Sequence, residues 1–162
     1  DGNLVGAYRK VHLFPPTGET EHMTAGDALP TFDQPWGCTA LAICYDLRFP
    51  ELCRHYTAAG ACLILIPAAW PVRRVEHWQL LLRTRALENQ LFIVGCNRAG
   101  SEAGADGGRF GGHSAAVDPW GRVLLEGGLE RGLLVVTLDL DEVSRARRLF
   151  PWLDDRRPEV YE

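Results

Sequence analysis

The chain has 162 residues, of which 46% are hydrophobic and 23% charged, enough to bury one sizeable core as a single globular domain. A formal net charge of -4 argues against a nucleic-acid surface, and with no long apolar run neither a membrane span nor a signal peptide is expected. The cysteines Cys38, Cys44, Cys53, Cys62 and Cys96 form no CxxC pair and no ligand-like spacing with the histidines. Reduced thiols of a cytoplasmic protein are therefore expected, and no metal.

In chain order, Asp1-Gly-Asn-Leu-Val-Gly reads like a hairpin turn, and the single methionine is the internal Met23, so a preceding segment is expected. Leu4 to Leu13 has the composition of a strand that carries Lys10 toward its end, stopped by Pro15, Pro16 and Gly18. Thr17 to Asp27 is polar and reads as a loop. Strands at Thr31 to Asp33 and Cys38 to Cys44 are split by the hairpin-like Pro35-Trp-Gly37.

Leu52 to Ala59 is then a helix, and Ala61 to Pro67 is a continuous apolar run, the pattern of a strand covered on both faces. Strand, helix, strand in that order predicts a right-handed crossover and a parallel pair. Val72 to Asn89 is helical, with Val75, Trp78, Leu81, Leu82 and Leu87 inward and Arg85 and Glu88 continuing the stripe. That charged pair reads first as a structural ion pair and second as a substrate contact.

Leu91 to Asn97 is another buried strand, and the glycine-rich Gly100 to Gly112 reads as a mobile loop with no nucleotide fingerprint. His113 to Asp118 and Val123 to Leu125 flank the hairpin signal Pro119-Trp-Gly121. Leu133 to Leu140 is a last strand, Asp141 to Leu149 a helix with an acidic start, and Pro151 to Glu162 a polar tail of the single domain spanning residues 1–162.

The chemistry concentrates at Ala40-Leu-Ala-Ile-Cys44-Tyr-Asp-Leu-Arg48-Phe-Pro-Glu51, where a buried strand runs into a polar turn and then a helix. A cysteine at such a corner sits at the sheet's edge, where helix amides favour a thiolate, so Cys44 is the candidate nucleophile. The alternative is a small hydrophobe packed inside. Trp70 reads either as a pocket wall or as a cap on the core. Arg48 and Glu51 read as a pair that stabilises the turn.

Several fragments in order carry a resemblance. Tyr8-Arg-Lys10-Val-His-Leu-Phe14, the loop Glu19 to Asp27, Ile43-Cys44-Tyr-Asp-Leu-Arg-Phe-Pro-Glu51, Arg85-Ala-Leu-Glu88-Asn89 and Asp118-Pro-Trp-Gly121 resemble the nitrilase, or carbon-nitrogen hydrolase, superfamily. Pro67-Ala-Ala-Trp-Pro71, His77-Trp78, Cys96-Asn-Arg98 and Asp154-Asp-Arg-Arg-Pro158 resemble its omega-amidase-like branch, which cleaves the terminal amide of small 2-oxo acid amides.

The resemblance implies an α/β fold, the four-layer α-β-β-α sandwich, here without its N-terminal strands and helices, and a Glu-Lys-Cys set that needs no cofactor. Cys44 matches the nucleophile, Lys10 the lysine, and Glu19, ahead of its neighbour Glu21, the second glutamate in the loop after it. The backbone N–H of Tyr45 would join Lys10 in holding the oxyanion, and Trp70 would contact a small-molecule amide. The general-base glutamate of the family lies upstream of the lysine, before Asp1. Other members of the superfamily, a non-catalytic module, and a homodimer or larger homo-oligomer all remain open readings.

Overall fold

The computed structural model describes residues 2–101 and 108–161. Residues 2–30 lack a strand and carry one short helix, α1 (Glu19–His22), after a 3-10 turn at Pro15–Thr17. The strand expected over Leu4 to Leu13 is therefore corrected. No neighbouring strand offers it a ladder among the described residues, and side chains take its polar groups instead: the His12 N–H goes to Asp46 and the Val11 N–H to the Tyr8 hydroxyl. The loop expected from Thr17 to Asp27 holds α1 inside it.

β1 (Thr31–Gln34) and β2 (Gly37–Leu41) form the hairpin signalled by Pro35-Trp-Gly37, with Phe32 opposite Thr39. β2 ends at Leu41, short of the expected Cys44, because the chain leaves the sheet into a 3-10 turn at Cys44–Arg48. Helix α2 (Pro50–Ala58) follows, opened by Pro50 at a position where the missing N–H costs nothing and by Glu51 against the helix dipole.

β3 (Leu63–Ala68) runs parallel to β2, and β4 (Phe92–Asn97) parallel to β3. Between them α3 (Val75–Asn89) begins after a 3-10 turn at Val72–Arg74 and stops at Gln90, whose φ of 49° breaks the helix. β5 (Ala99–Ser101) and β6 (Arg109–Gly111) form a two-stranded ribbon. The mobile loop expected over Gly100 to Gly112 thus has paired flanks, and its centre lies outside the described residues.

β7 (Ala115–Val117) and β8 (Val123–Glu126) complete a six-stranded mixed sheet in the order β1-β2-β3-β4-β7-β8. Helices α4 (Asp141–Leu149) and α5 (Pro158–Tyr161) close the described chain.

One face of the sheet presents Ala40, Ala42, Ile64, Ile66, Ile93 and Val117 to Leu52 and Tyr56 of α2 and to Trp78, Leu82 and Ala86 of α3. Gly95 of β4 makes this approach possible, since a Cβ there would stand 2.6 Å from the Trp78 ring. Leu87, expected inward, is 44% exposed, for it lies two turns after Leu80 on the outer face of α3, away from the buried side of Trp78, Leu82, Arg85, Ala86 and Asn89. On the opposite face Leu63 and Phe92 pack under Val143 of α4, joined by Leu138 and Leu140.

The strand expected over Leu133 to Leu140 does not form. Its alternation is real, with Leu133 at 89% and Val135 at 81% exposure while Leu138 and Leu140 reach the core, but among the described residues no strand pairs with it. Apolar alternation reports which side faces the sheet; it does not create a hydrogen-bonded neighbour.

Candidate active site

Cys44 opens the 3-10 turn at the C-terminal end of β2, and its φ is 48°. A side chain in the left-handed region costs on the order of 1–2 kcal/mol and persists where the surroundings over-determine it. Here Ala42 N–H is bonded to Leu65 O at 3.1 Å, and Asp46 N–H to Ile43 O at 3.0 Å, so the chain is fixed on both sides of the cysteine. The thiol is half-buried rather than in the interior. Burial pushes it up from its ordinary pKa, while the Ala69 backbone N–H and the Lys10 ammonium pull it down.

Lys10 lies in the segment before α1, and its ammonium acts on this thiol through its charge. Its Nζ pairs with Glu19 Oε2 at 2.5 Å, and the same oxygen accepts the Phe14 N–H at 2.8 Å. The pair is largely enclosed, with side-chain exposures of 10% and 22%, so Lys10 is not a lysine snorkelling to water. Glu21, two residues on, is exposed, and it is Glu19 that the structure brings to Lys10. The loop closes where Gly26 N–H meets Lys10 O at 2.8 Å, and a Cβ on Gly26 would lie 2.2 Å from Arg9 O, so only glycine permits this contact.

The Tyr45 amide lies ahead of the first bond of the 3-10 turn, the place where backbone donors are left for a ligand. Arg85 of α3 clamps the far side of the turn through Nε to Leu47 O at 3.1 Å and Nη2 to Arg48 O at 3.0 Å. Its Nη1 pairs with Glu88 at 2.9 Å, so the charged pair on the helical stripe is structural.

Trp70 is 3% exposed, gives its indole N–H to Arg74 O at 2.8 Å and packs on Trp78 with centroids 5.5 Å apart. Its side chain is thus part of the core, with its one polar atom already bonded. What it supports is Arg48, whose guanidinium lies 4.6 Å above the ring. Burial and the neighbouring Arg74 lower the pKa of Arg48, against the raising influence of Tyr45 and Cys44.

Asp46 escaped the sequence reading. It is fully buried, and its two oxygens accept the Tyr8 O–H at 2.7 Å and the Ile43 N–H, the His12 N–H and the His12 Nδ1–H at 2.9 Å each. The signal was present in Tyr8 and His12, which flank Lys10 at the spacing that puts alternate side chains on one side of an extended chain.

A cavity of about 610 Å³ opens elsewhere, beneath residues 127–136, lined by Val94, Cys96, Ala116, Leu134 and Val136. Neither Cys44 nor Lys10 borders it, and the grouping of thiol, ammonium and carboxylate makes the stronger candidate site. No group of three or more His, Cys, Asp or Glu among the described residues could hold a metal ion.

The model of the carbon-nitrogen hydrolase family matches residues 1–148. The chain belongs to this family. It is 42% identical over 161 residues to the 2-oxoglutaramate amidase of Bacillus subtilis (strain 168), covering 99% of this chain and 61% of that protein. It is 36% identical over 171 residues to the omega-amidase NIT2 of Mus musculus, covering 99% and 60%. The carbon-nitrogen hydrolase of Helicobacter pylori G27 superposes with a TM-score of 0.93 at 29% identity, over 99% of this chain and 61% of that one. The chain thus spans about three-fifths of the length of these family members. The expected α/β class and omega-amidase-like branch are borne out by these matches, with the mixed sheet and flanking helices as the family's architecture in this chain.

Proposed function

We propose that the natural full-length product carrying this chain is a thiol amidohydrolase that cleaves the terminal amide of a small carboxylated amide of the 2-oxoglutaramate type. The carrying observation is the enclosed Lys10–Glu19 ion pair set against Cys44 in its left-handed turn. A scaffold has no need of a lysine so placed or of strain at that cysteine.

In this reading Cys44 Sγ attacks the amide carbonyl, forming the carbon–sulfur bond and an oxyanion. Lys10 and the Tyr45 N–H stabilise that charge where it develops, an effect worth about 2.7–4 kcal/mol per donor in comparable sites. The carbon–nitrogen bond breaks, the amine takes a proton and leaves as ammonia, and water then hydrolyses the thioester to the acid. A thiol pushed up by burial needs a base, and Glu19 is engaged by Lys10 and the Phe14 N–H. The base is therefore assigned to the upstream glutamate that the family resemblance implies, with Glu19 orienting Lys10.

Arg48 favours a carboxylated substrate, being a cation that interacts with the Cys44 thiol, has Arg74 as a like-charged neighbour and has no carboxylate pairing it among the described residues. A cytoplasmic setting is supported by free thiols at Cys38, Cys44, Cys53, Cys62 and Cys96, and no described helix is long and apolar enough to cross a membrane.

The test is a substrate panel on the full-length product: 2-oxoglutaramate against nitriles and N-carbamoyl compounds. Ammonia release fastest from 2-oxoglutaramate is expected. Faster turnover of nitriles would overturn the substrate assignment.

A further inference from the structure

We propose that Asp46 is a positioning residue: it holds Lys10 in register with the Cys44 sulfur by tying both flanks of Lys10 to the turn that carries the nucleophile. The inference rests on the reading of Cys44 and Lys10 as the reacting pair.

Lys10 lies in a segment without strand pairing among the described residues, so no ladder fixes its position relative to the sheet. Its own contacts, Glu19 at the ammonium and Gly26 at the carbonyl, belong to the loop that follows it and move with it. Register with Cys44 must come from bonds that cross from this segment to the turn. Three such bonds end on Asp46, from the Tyr8 O–H, the His12 N–H and the His12 ring, and a fourth, from the Ile43 N–H, anchors the carboxylate within the turn itself.

A carboxylate offers about four acceptor sites, so the group is saturated and cannot rotate without losing a partner. Because an ionised carboxylate only accepts, His12 Nδ1 carries the proton. The imidazole is further held flat on Phe49, with centroids 3.7 Å apart and planes 8° from parallel. Phe49 directly follows the 3-10 turn, so the stack is a second crossing between the same two segments. Tyr8, His12, Asp46 and Phe49 together form a bridge with Lys10 on one bank and Cys44 on the other.

Misplacing a reacting group by about 1 Å costs on the order of 10²-fold in rate. The test uses the full-length product with Tyr8→Phe and Asp46→Asn, reading kcat, KM and the pH midpoint for alkylation of the Cys44 peptide by iodoacetamide, with circular dichroism to confirm folding.

The midpoint discriminates by its sign. Cys44 faces Lys10 and Arg48, whose positive charges lower the thiol, and Glu19 and Asp46, which raise it. If Asp46 acted only through its charge, Asp46→Asn would lower the midpoint. If it positions Lys10, the midpoint rises despite the lost negative charge, kcat falls on the order of 10²-fold, and KM changes little. Tyr8→Phe alters no charge near neutral pH and should move midpoint and kcat in the same directions by less, and it carries the test alone if Asp46→Asn does not fold. A midpoint that stays or falls in the folded variants overturns the proposal. A wild-type product that cleaves no amide, with midpoints still rising in both variants, would sink the amidase reading and leave the positioning role standing.

Discussion

Lys10 Nζ and Glu19 Oε2 form an ion pair at 2.5 Å, and that same carboxylate oxygen receives the Phe14 N–H. One acid thereby fixes both the head of the lysine and the backbone just beyond it. Replacing it with an amide keeps the shape and an acceptor but leaves an enclosed ammonium without a countercharge. Glu19→Gln should lower kcat/KM on the order of 10–10²-fold and stability by about 1–3 kcal/mol. Glu21→Gln, at an exposed position, should leave both within experimental error. Steady-state rates of ammonia release and urea melts on the full-length product check this, and a larger loss in Glu21→Gln than in Glu19→Gln would show that the carboxylates were assigned the wrong way round.

The central strands were legible because each is an apolar run bounded by proline, glycine or charge, as at Leu63–Ala68 and Phe92–Asn97, and such runs need no partner to be recognised. Cys44 was legible locally, as a cysteine where an apolar run breaks into a polar turn, whereas Lys10 and Glu19 were legible as positions only through the family resemblance, since no local rule singles out one lysine. The two false strands, at Leu4 to Leu13 and Leu133 to Leu140, share a cause. Both have strand composition, but pairing is a long-range property that composition does not contain. Asp46 was missed because a buried carboxylate is visible only once its donors are brought from residues 34 and 38 positions away.

The left-handed φ of 48° at Cys44 makes a stability prediction independent of any assay. Glycine adopts that conformation freely, whereas alanine retains the Cβ clash. Relief of about 1–2 kcal/mol, less about 0.5–1 kcal/mol for the greater freedom of glycine in the unfolded chain, leaves a net gain of about 1 kcal/mol. Cys44→Gly should therefore be more stable than Cys44→Ala by that amount, with both inactive. Denaturant melts of the two decide it, and a glycine variant no more stable than the alanine would mean that the turn carries no such strain.

Arg85 joins α3 to the nucleophile's turn through two carbonyls and to Glu88 through its remaining nitrogen. Lysine keeps the charge and three N–H donors, but all three radiate from one nitrogen and cannot span acceptors that Arg85 meets with three separate nitrogens. Arg85→Lys should cost about 2–4 kcal/mol, within the range for breaking a buried, charge-assisted network, and should slow turnover by loosening the Cys44–Arg48 turn. A variant with a normal melting temperature would show that Leu47 O and Arg48 O find other donors.

Cys53 of α2 is fully buried in the core beside Leu52 and Tyr56, and burial pushes its thiol up to about 12. In the unfolded chain the same thiol ionises near its ordinary value of about 8.5. The folded state therefore keeps a proton that the unfolded state loses, and stability falls as pH rises through the window between the two values. The slope for one proton is about 1.4 kcal/mol per pH unit, with the full contribution present below the unfolded value. Cys53→Ala removes this linkage at the expense of a small cavity. Its stability should be lower than wild type at pH 7 by about 1 kcal/mol and should decline less steeply between pH 9 and 10.5 by about that one-proton slope. The comparison is made by guanidinium melts across that range, and parallel curves for the two proteins would mean that Cys53 titrates in the folded state as it does in the unfolded one.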